Sequence, residues 1–345
     1  MKYKLLGKSG LRVSELVLGT MTFGEDWGWG ANFEDSRKVF DAYAEAGGNF
    51  IDTANVYTNG TSEKFVGEFI KGEREKWVLA TKYSLNNQSS NVNLSGNHRK
   101  NLVQSVEASL RRLKVDYIDL LWLHVWDFTT PIEEVMRSLD DLIRAGKILY
   151  AGVSDAPAWI VARANTMAEE RGWSPFIALE IEYSLIERTP ERDLIPMAKA
   201  LGLAVTPWGP LGAGLLSGKY NSPDREARRT ARLEVTGEKP SEHELKIAEV
   251  VVEIAREIGK TPSQVALRWI TQQGYHMFPI VGARSALQIK DDLGYASFSL
   301  SPEHLRRLDA VSAIPLGFPG AFFTTDRIQN FAFGGSLKLI ERPPV

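Results

Sequence analysis

The feature that most limits how this chain can fold is its alternation of short apolar runs with amphipathic stretches. Helical spacing separates most of these runs, and strands that alternate with helices in this way lie parallel. Eight such units predict a closed α/β barrel of the (β/α)8 TIM type, because closing the sheet leaves no exposed edge. The eight runs are residues 16–19, 50–51, 77–80, 117–123, 148–153, 176–181, 203–206 and 277–281.

The segments between these runs predict the helices around the barrel. A Gly-Lys-Ser-Gly turn at residues 7–10 also predicts an N-terminal β-hairpin. We expect residues 1–345 to form one barrel domain, with a polar insertion at about 217–241 and an irregular C-terminal tail, 313–345, near the barrel mouth. Helices are predicted at residues 35–45, 62–70, 99–113, 132–144, 158–170, 191–200, 243–258, 263–273 and 301–311.

An open, doubly wound sheet is the alternative architecture. It would favour a glycine-rich dinucleotide turn after the first strand. Residues 19–24 read G-T-M-T-F-G there, which does not match G-x-G-x-x-G, and the chain has no Walker loop. The sequence therefore favours the barrel.

Composition excludes several functional classes. The 41 basic and 43 acidic residues nearly balance, so no charge field for nucleic acid or membranes is expected. Without cysteine the chain has no thiolate nucleophile, and its five histidines are scattered, which argues against a metal-dependent barrel hydrolase and predicts no metal site. No apolar run resembles a signal peptide or a membrane span, so we expect a cytoplasmic protein.

Polar residues collect where the predicted strands end. In a TIM barrel these ends line one mouth, where active sites lie. Each residue alone has a plain structural explanation, such as a strand cap or a core histidine, but their shared position predicts a site. The residues are Asp52, Lys82, His124, Ser154, Glu180 and Trp208, with Tyr57 shortly after Asp52.

Four segments resemble the aldo-keto reductases. Residues 48–57 (G-N-F-I-D-T-A-N-V-Y) resemble the segment that contains the family motif D-T-A-x-x-Y, and residues 108–124 resemble the helix and strand that carry the family histidine. Residues 206–211 (T-P-W-G-P-L) resemble the segment whose aromatic ring stacks on nicotinamide, and 279–293 resemble the adenosine-binding segment. The resemblance extends from about residue 5 to 311.

The resemblance implies NAD(P)H-dependent reduction of an aldehyde or ketone, with Tyr57 as proton donor. Physical chemistry agrees, since negative charge that develops on a carbonyl oxygen needs a donor beside it. A nearby ammonium lowers the pKa of a phenol, and we expect Lys82 to do this for Tyr57. Asp52 would neutralise the buried Lys82, and His124 would orient the carbonyl.

The resemblance also implies a cofactor site. Trp208 would stack on nicotinamide, and Arg284 and Lys219 suit a phosphate, so NADP(H) is expected, with NAD(H) as the alternative. Arg284 without this context would be an ordinary surface arginine. The predicted cofactor residues are Thr20, Met21, Ser154, Asp155, Glu180, Trp208, Gly209, Pro210, Leu211, Lys219, Gly282, Arg284, Gln288, Asp291 and Asp292.

Three cofactor positions depart from the family pattern. Asp155 and Asp292 stand where the family usually has Asn, and Glu180 where it usually has Gln. An amide donates and accepts, whereas an ionised carboxylate only accepts. Two adjacent acids also repel each other unless one holds a proton. These departures predict weak cofactor binding or tolerance of NAD(H).

Aromatic residues after strand ends predict a substrate pocket for a flat or apolar carbonyl compound. Phe23, Trp27, Trp126 and Phe128 are its expected walls, although core packing would also explain several of them. The partner is thus a small molecule, and an oligomer is possible within the family. The alternative function is a cofactor-binding regulatory protein with little turnover, similar to the potassium-channel β-subunits of this family.

Overall fold

A ring of eight parallel strands forms the centre of the protein, whose computed structural model describes residues 1–86, 90–219 and 239–341. A separate antiparallel hairpin, β1 (Tyr3–Leu5) with β2 (Arg12–Ser14), precedes the ring. The predicted TIM barrel with its hairpin is therefore confirmed. The ring strands are β3 (Val17–Gly19), β4 (Phe50–Asp52), β5 (Val78–Tyr83), β6 (Ile118–Leu123), β7 (Ile148–Ser154), β8 (Phe176–Glu182), β9 (Ala204–Trp208) and β10 (Ile280–Gly282).

From β3 to β9 each strand pairs with the next one in chain order, and β10 pairs with β3. Within the described residues, β9 and the chain leading to β10 meet at a single bridge between Val205 and Met277. Two backbone hydrogen bonds accompany it, from Val205 N to His276 O and from Phe278 N to Val205 O. The barrel is nearly closed, and this seam is its weakest point.

Helices cover the outside of the strands. Two of them, α3 (Arg99–Leu113) and α4 (Ile132–Arg144), have the predicted bounds, and most of the polar insertion lies outside the described residues. None of the described helices is long and apolar enough to cross a membrane. The others are α1 (Phe33–Glu45), α2 (Thr61–Phe69), α5 (Ala158–Arg171), α6 (Leu194–Leu201), α7 (Glu242–Ile258), α8 (Pro262–Thr271), α9 (Ala286–Leu293), α10 (Pro302–Val311), α11 (Gly320–Phe323) and α12 (Asp326–Phe333).

Side chains along each strand alternate between the barrel interior and the layer beneath the helices. In β6, Leu120 and Trp122 belong to the interior cluster, while Leu121 and Leu123 pack toward the helices. Burial on both faces explains why these strands are continuous apolar runs in the sequence. The same alternation decides which polar residues reach the interior.

The N-terminal hairpin lies against the amino ends of the barrel strands. Leu6 and Val13 are fully buried and pack in the interior cluster. Gly7 has a φ of +57°, and a Cβ there would lie 2.1 Å from the carbonyl oxygen of Ile177. Only glycine fits this close approach. The hairpin thus covers the end of the barrel opposite the mouth.

The C-terminal tail is more regular than expected, because it contains the short helices α11 and α12. It starts where the carbonyl oxygen of Pro315 accepts hydrogen bonds of 3.1 and 3.0 Å from Arg192, in the loop after β8. Beyond this contact Phe318 is 86% and Phe331 73% exposed. Glycine and proline delimit these helices rather than prevent them. The single-domain boundary and a position over the mouth stay predictions.

Candidate active site

Alternation along three strands brings three ionisable side chains into the barrel interior. Phe50 and Val78 are interior residues, so Asp52 and Lys82 face the same way, two and four residues further along their strands. The strand β5 runs to Tyr83, and Lys82 therefore lies inside it rather than after its end. In β8 the same periodicity carries Glu180 inward after Ala178.

These three residues form a buried ionic cluster. The Lys82 ammonium hydrogen-bonds Asp52 Oδ2, lies 3.2 Å from Glu180 Oε1, and donates to the Thr53 carbonyl oxygen at 3.2 Å. Burial favours the neutral amine, but Asp52 and Glu180 outweigh it and raise the pKa of Lys82. Lys82 therefore stays charged in a site without solvent contact.

Tyr57 begins the 3-10 turn Tyr57–Gly60 that follows β4. Thr58 holds this turn, since its hydroxyl donates to the Phe23 carbonyl oxygen at 2.6 Å and accepts from the Ser62 backbone NH at 3.1 Å. Thr58 and Asn59 have left-handed φ angles of 44° and 55°, a strained arrangement that these contacts maintain. The phenol is thus fixed at the mouth, beside the ionic cluster.

The electrostatics of Tyr57 differ from the expectation. Lys82 Nζ lies 5.3 Å from the centre of the phenol ring and does act to lower the pKa of Tyr57. Burial is the larger effect, and together with Asp52 and Glu180 it raises that pKa above its ordinary value. The expected effect of Lys82 is therefore present, but burial outweighs it. Tyr57 is a neutral, protonated phenol at neutral pH.

His124 follows β6 and faces Tyr57. The two ring centres lie 6.0 Å apart at 81°. Burial, aided by the Lys82 charge, lowers the pKa of His124 to about 3. The imidazole is consequently neutral, with one nitrogen that donates and one that accepts. Among the described residues, its Nδ1 is buried and has no hydrogen-bond partner.

Aromatic residues lie on one side of this group. The ring centres of Trp27 and Tyr57 are 6.5 Å apart, and those of Trp27 and Trp29 are 5.9 Å apart. Trp29 was not among the predicted residues, although the repeated W-G-W-G at 27–30 could have indicated it. Phe128 is 70% exposed on the loop after β6. These side chains can contact a ligand at the mouth.

Two of the predicted pocket residues are core residues instead. Phe23 is fully buried and packs edge-on against Phe69, with ring centres 6.0 Å apart. Trp126 is 6% exposed and belongs to the cluster beneath the helices. Both follow strands, but each side chain packs in a buried cluster beneath the helices. The packing explanation is correct for this pair.

Beside Glu180, the ends of β7 and β9 approach each other. Ser154 is buried and pairs in register with Glu180. The next residue, Asp155, has a left-handed φ of 43° and accepts a 3.2 Å hydrogen bond from Trp208 Nε1. The indole is thereby held at the mouth edge, and Gly209 follows it with a φ of +65°. The structure brings these five predicted cofactor residues together.

A second group forms after β9 and β10. Lys219 is half-buried, and its pKa is lowered by burial and by Arg284 while Asp292 opposes that effect, so the three groups lie near one another. Burial, aided by Asp291, raises the pKa of Asp292 to about 8. Asp292 is therefore mostly protonated at neutral pH and able to donate as well as accept.

Two predicted cofactor residues in this group have structural partners. Asp291 accepts hydrogen bonds from Thr261 Oγ1 at 2.9 Å and from Gln264 Nε2 at 3.0 Å, at the start of α8. Gln288 Oε1 accepts from the Arg284 backbone NH at 2.8 Å. Asp291 thus connects α9 to α8, and a direct role toward a cofactor is not supported for it. Gln288 shapes the turn that carries Arg284.

The other predicted residues lie on the loops around the mouth. Thr20 is buried directly after β3 and donates to the Asp52 carbonyl oxygen at 3.0 Å, so it supports the strand that carries the acid. Among the described residues, no three His, Asp or Glu side chains are grouped to hold a metal ion. Met21 follows Thr20, Pro210 and Leu211 follow Gly209, and Gly282 ends β10.

Comparison with known proteins agrees with this geometry. The aldo/keto reductase family profile matches residues 15–313. The chain is 37% identical over 337 residues to a norsolorinic acid reductase of Aspergillus flavus, covering 95% of this chain and 85% of the relative. It is 40% identical over 333 residues to the aryl-alcohol dehydrogenase (NADP(+)) of Phanerodontia chrysosporium, covering 91% and 86% respectively. A family match over most of the chain, with relatives similar along nearly all of it, shows that the protein belongs to the aldo/keto reductase family.

Proposed function

We propose that the protein is an NADPH-dependent reductase that converts an aromatic aldehyde or ketone to its alcohol. The observation that carries this proposal is the neutral Tyr57 phenol beside a buried, permanently charged Lys82. A donor of this kind matches a reaction in which a carbonyl oxygen gains negative charge. One relative is named as a reductase and the other as an aryl-alcohol dehydrogenase, and the second name points to an aromatic substrate.

The residues present fit a nicotinamide cofactor. Glu180 Oε2 is buried and, within the described chain, lacks a hydrogen-bond partner, as a binding site for an amide group requires. Ser154, Asp155 and Trp208 would hold the nicotinamide end, while Lys219 and Arg284 would hold the phosphate of the adenosine end. A bound reduced nicotinamide would supply the hydride. The cations favour NADPH over NADH.

Tyr57, Lys82, Asp52 and His124 would perform the rest of the reaction. Tyr57 would give its proton to the substrate oxygen as negative charge develops there. Lys82 would stabilise the resulting phenolate, because its ammonium lies 5.3 Å from the ring centre. Asp52 keeps Lys82 charged and in place, and the neutral His124 would donate a hydrogen bond that orients the carbonyl.

The substrate would lie against an aromatic wall. Trp27 adjoins Tyr57 and Trp29 adjoins Trp27, while the exposed Phe128 is on the loop after β6. Flat rings recognise a flat substrate by stacking and edge contacts. This arrangement favours an aryl carbonyl compound over an aliphatic one.

The test combines binding with turnover. Tryptophan fluorescence is titrated with NADPH and with NADH, and NADPH oxidation is then followed with benzaldehyde and with hexanal. We expect quenching at lower NADPH than NADH concentrations, and faster turnover of benzaldehyde. No binding of either cofactor would contradict the proposal. Tight binding with turnover far slower than cofactor exchange would instead favour the regulatory alternative.

A further inference from the structure

Lys82 is placed between two carboxyl groups, although it needs only one to be neutralised. Asp52 and Glu180 are each 2% exposed, and Lys82 is fully buried. One positive charge therefore faces two acids in a site that water does not reach. A second buried carboxylate there would be an uncompensated charge, which is costly.

The charged groups that face Glu180 come from three elements. Lys82 reaches it from β5, Asp52 from β4, and Asp155 from the loop after β7. Two of these three are acids, so the surroundings of Glu180 carry excess negative charge. Burial and the neighbouring Asp52 raise the pKa of Glu180 well above its ordinary value.

Asp52 is the better counterion of the two acids. Its Oδ2 makes the closer contact with Lys82, whereas Glu180 Oε1 lies 3.2 Å away. In the described chain, Asp52 Oδ1 and Glu180 Oε2 both lack a hydrogen-bond partner, so each acid has an oxygen that can hold a proton without breaking its contact to Lys82. The closer contact of Asp52 with Lys82 therefore makes Glu180 the acid that takes the proton. Asp155 adds a further acid near Glu180.

We propose, on the basis of the function proposed above, that Glu180 is a positioning residue that holds a proton and thereby sets the acidity of Tyr57 through Lys82. With Glu180 neutral, only Asp52 opposes the Lys82 charge. Lys82 then favours the phenolate of Tyr57 more strongly, and proton donation becomes easier.

Loss of the Glu180 proton reverses this effect. Both Asp52 and Glu180 act as anions to make Tyr57 a weaker acid. Above the pH at which Glu180 ionises, Tyr57 becomes a poorer donor. The reduction should then slow by up to about tenfold per pH unit, as expected when the active form carries one more proton.

The experiment measures the protonation of Glu180 directly and its effect on the reaction. Infrared spectra of protein with 13C-labelled glutamate are recorded against pH, without cofactor, for the wild type and Glu180→Gln. We expect a protonated-carboxyl band at neutral pH that is absent in Glu180→Gln and unchanged in Glu249→Gln, which alters an exposed helix residue. The pH profile of kcat/KM for benzaldehyde should lose its high-pH decline in Glu180→Gln.

A second variant tests whether Asp52 and Glu180 compete to neutralise Lys82. In Asp52→Asn, Glu180 becomes the only carboxylate able to neutralise Lys82, so its infrared band should disappear at a lower pH than in the wild type. An active wild type without the band, or with the same pH profile as Glu180→Gln, would overturn the proposal for Glu180 alone. A wild type that binds NADPH but reduces no aldehyde at any pH would overturn the proposed function, and the role of Glu180 with it.

Discussion

The two ends of the candidate cofactor site each contain a buried acid where the family usually has an amide. Glu180 and Asp292 are 2% and 5% exposed. Glu180 contacts a fully buried ammonium that Asp52 already neutralises. Asp292 instead lies near Lys219, a half-buried lysine that Arg284 also faces. The same change of residue type thus occurs in two different electrostatic settings.

Because their settings differ, we expect the two acids to affect different properties of the protein. At the mouth, the charge state of Glu180 reaches Tyr57 through Lys82 and should affect the rate of reduction. The predicted catalytic residues belong to the mouth and not to the group around Asp292. Asp292 should therefore affect the stability of the protein and its affinity for the cofactor, and not the rate of reduction. The following predictions test that separation.

The largest effect is expected for Tyr57→Phe, which removes the proton donor from the mouth. The turnover number should fall by about 100- to 10,000-fold, the usual contribution of a positioned general acid. NADPH affinity should be nearly unchanged, because the phenol is not a cofactor group. Steady-state kinetics and fluorescence titration measure the two quantities. Comparable losses of turnover and of NADPH affinity would contradict the separate roles of the mouth and the adenosine end.

The second prediction concerns Asp292→Asn and the free energy of unfolding. Burial raises the pKa of Asp292 to about 8, so the folded state binds a proton that the unfolded state releases near pH 4. This stabilisation is complete below the unfolded pKa and is lost as the pH rises through 8. The wild type should thus lose about 1 kcal/mol per pH unit relative to Asp292→Asn between pH 5 and 8.

Urea unfolding of both proteins at pH 5, 6, 7 and 8 provides the measurement. A constant difference in unfolding free energy across the four pH values would contradict the neutral state of Asp292. An ionised Asp292 would also need a close counterion, as Glu180 has in Lys82. The two buried acids would then no longer differ in electrostatic setting.

The third prediction tests the phosphate end with Arg284→Ala. Loss of one charge-assisted hydrogen bond at a partly exposed site should weaken NADPH binding about tenfold. NADH binding and the turnover number should change little. Arg256→Ala, which alters an exposed arginine of α7, is the matched control. Equal weakening for both cofactors would place Arg284 away from the 2′-phosphate.

The smallest effect is expected for Trp208→Phe. This change keeps an aromatic ring but removes the Nε1 hydrogen bond to Asp155. One lost hydrogen bond of ordinary strength should weaken NADPH binding about fivefold. Fluorescence quenching should also decrease, since the reporting indole is removed, so affinity is measured by calorimetry. Unchanged affinity would show that Asp155 does not need Trp208 to stay in place.

Much of this architecture could be predicted from periodicity. Strand-type runs and helical spacing gave the barrel, and the predicted strand ends identified Asp52, Tyr57 and His124 for the mouth. Lys82 was found too, although the polar Thr81 made β5 look shorter than it is. Extending the alternation of β8 past Ala178 would have placed Glu180 next to Lys82 as well.

Other features depend on the folded arrangement. Phe23 and Trp126 have the composition of pocket walls, and only the path of the chain after each strand places them in the core. The net pKa shift of Tyr57 required the burial of the phenol to be weighed against a lysine on another strand. The glycine and proline of the tail predict an irregular chain, whereas the structure has two short helices between them.

The seam between β9 and β10 has a consequence for the dynamics of the barrel. In the part of the chain that the structure describes, one bridge between Val205 and Met277 joins this side of the ring, so few hydrogen bonds there must break before the barrel opens locally. Lys219 and Arg284 follow the two strands on either side of it. A ligand held by Lys219 and Arg284 would bridge the seam. The fraction of protein with ligand bound would then determine how often the barrel opens there.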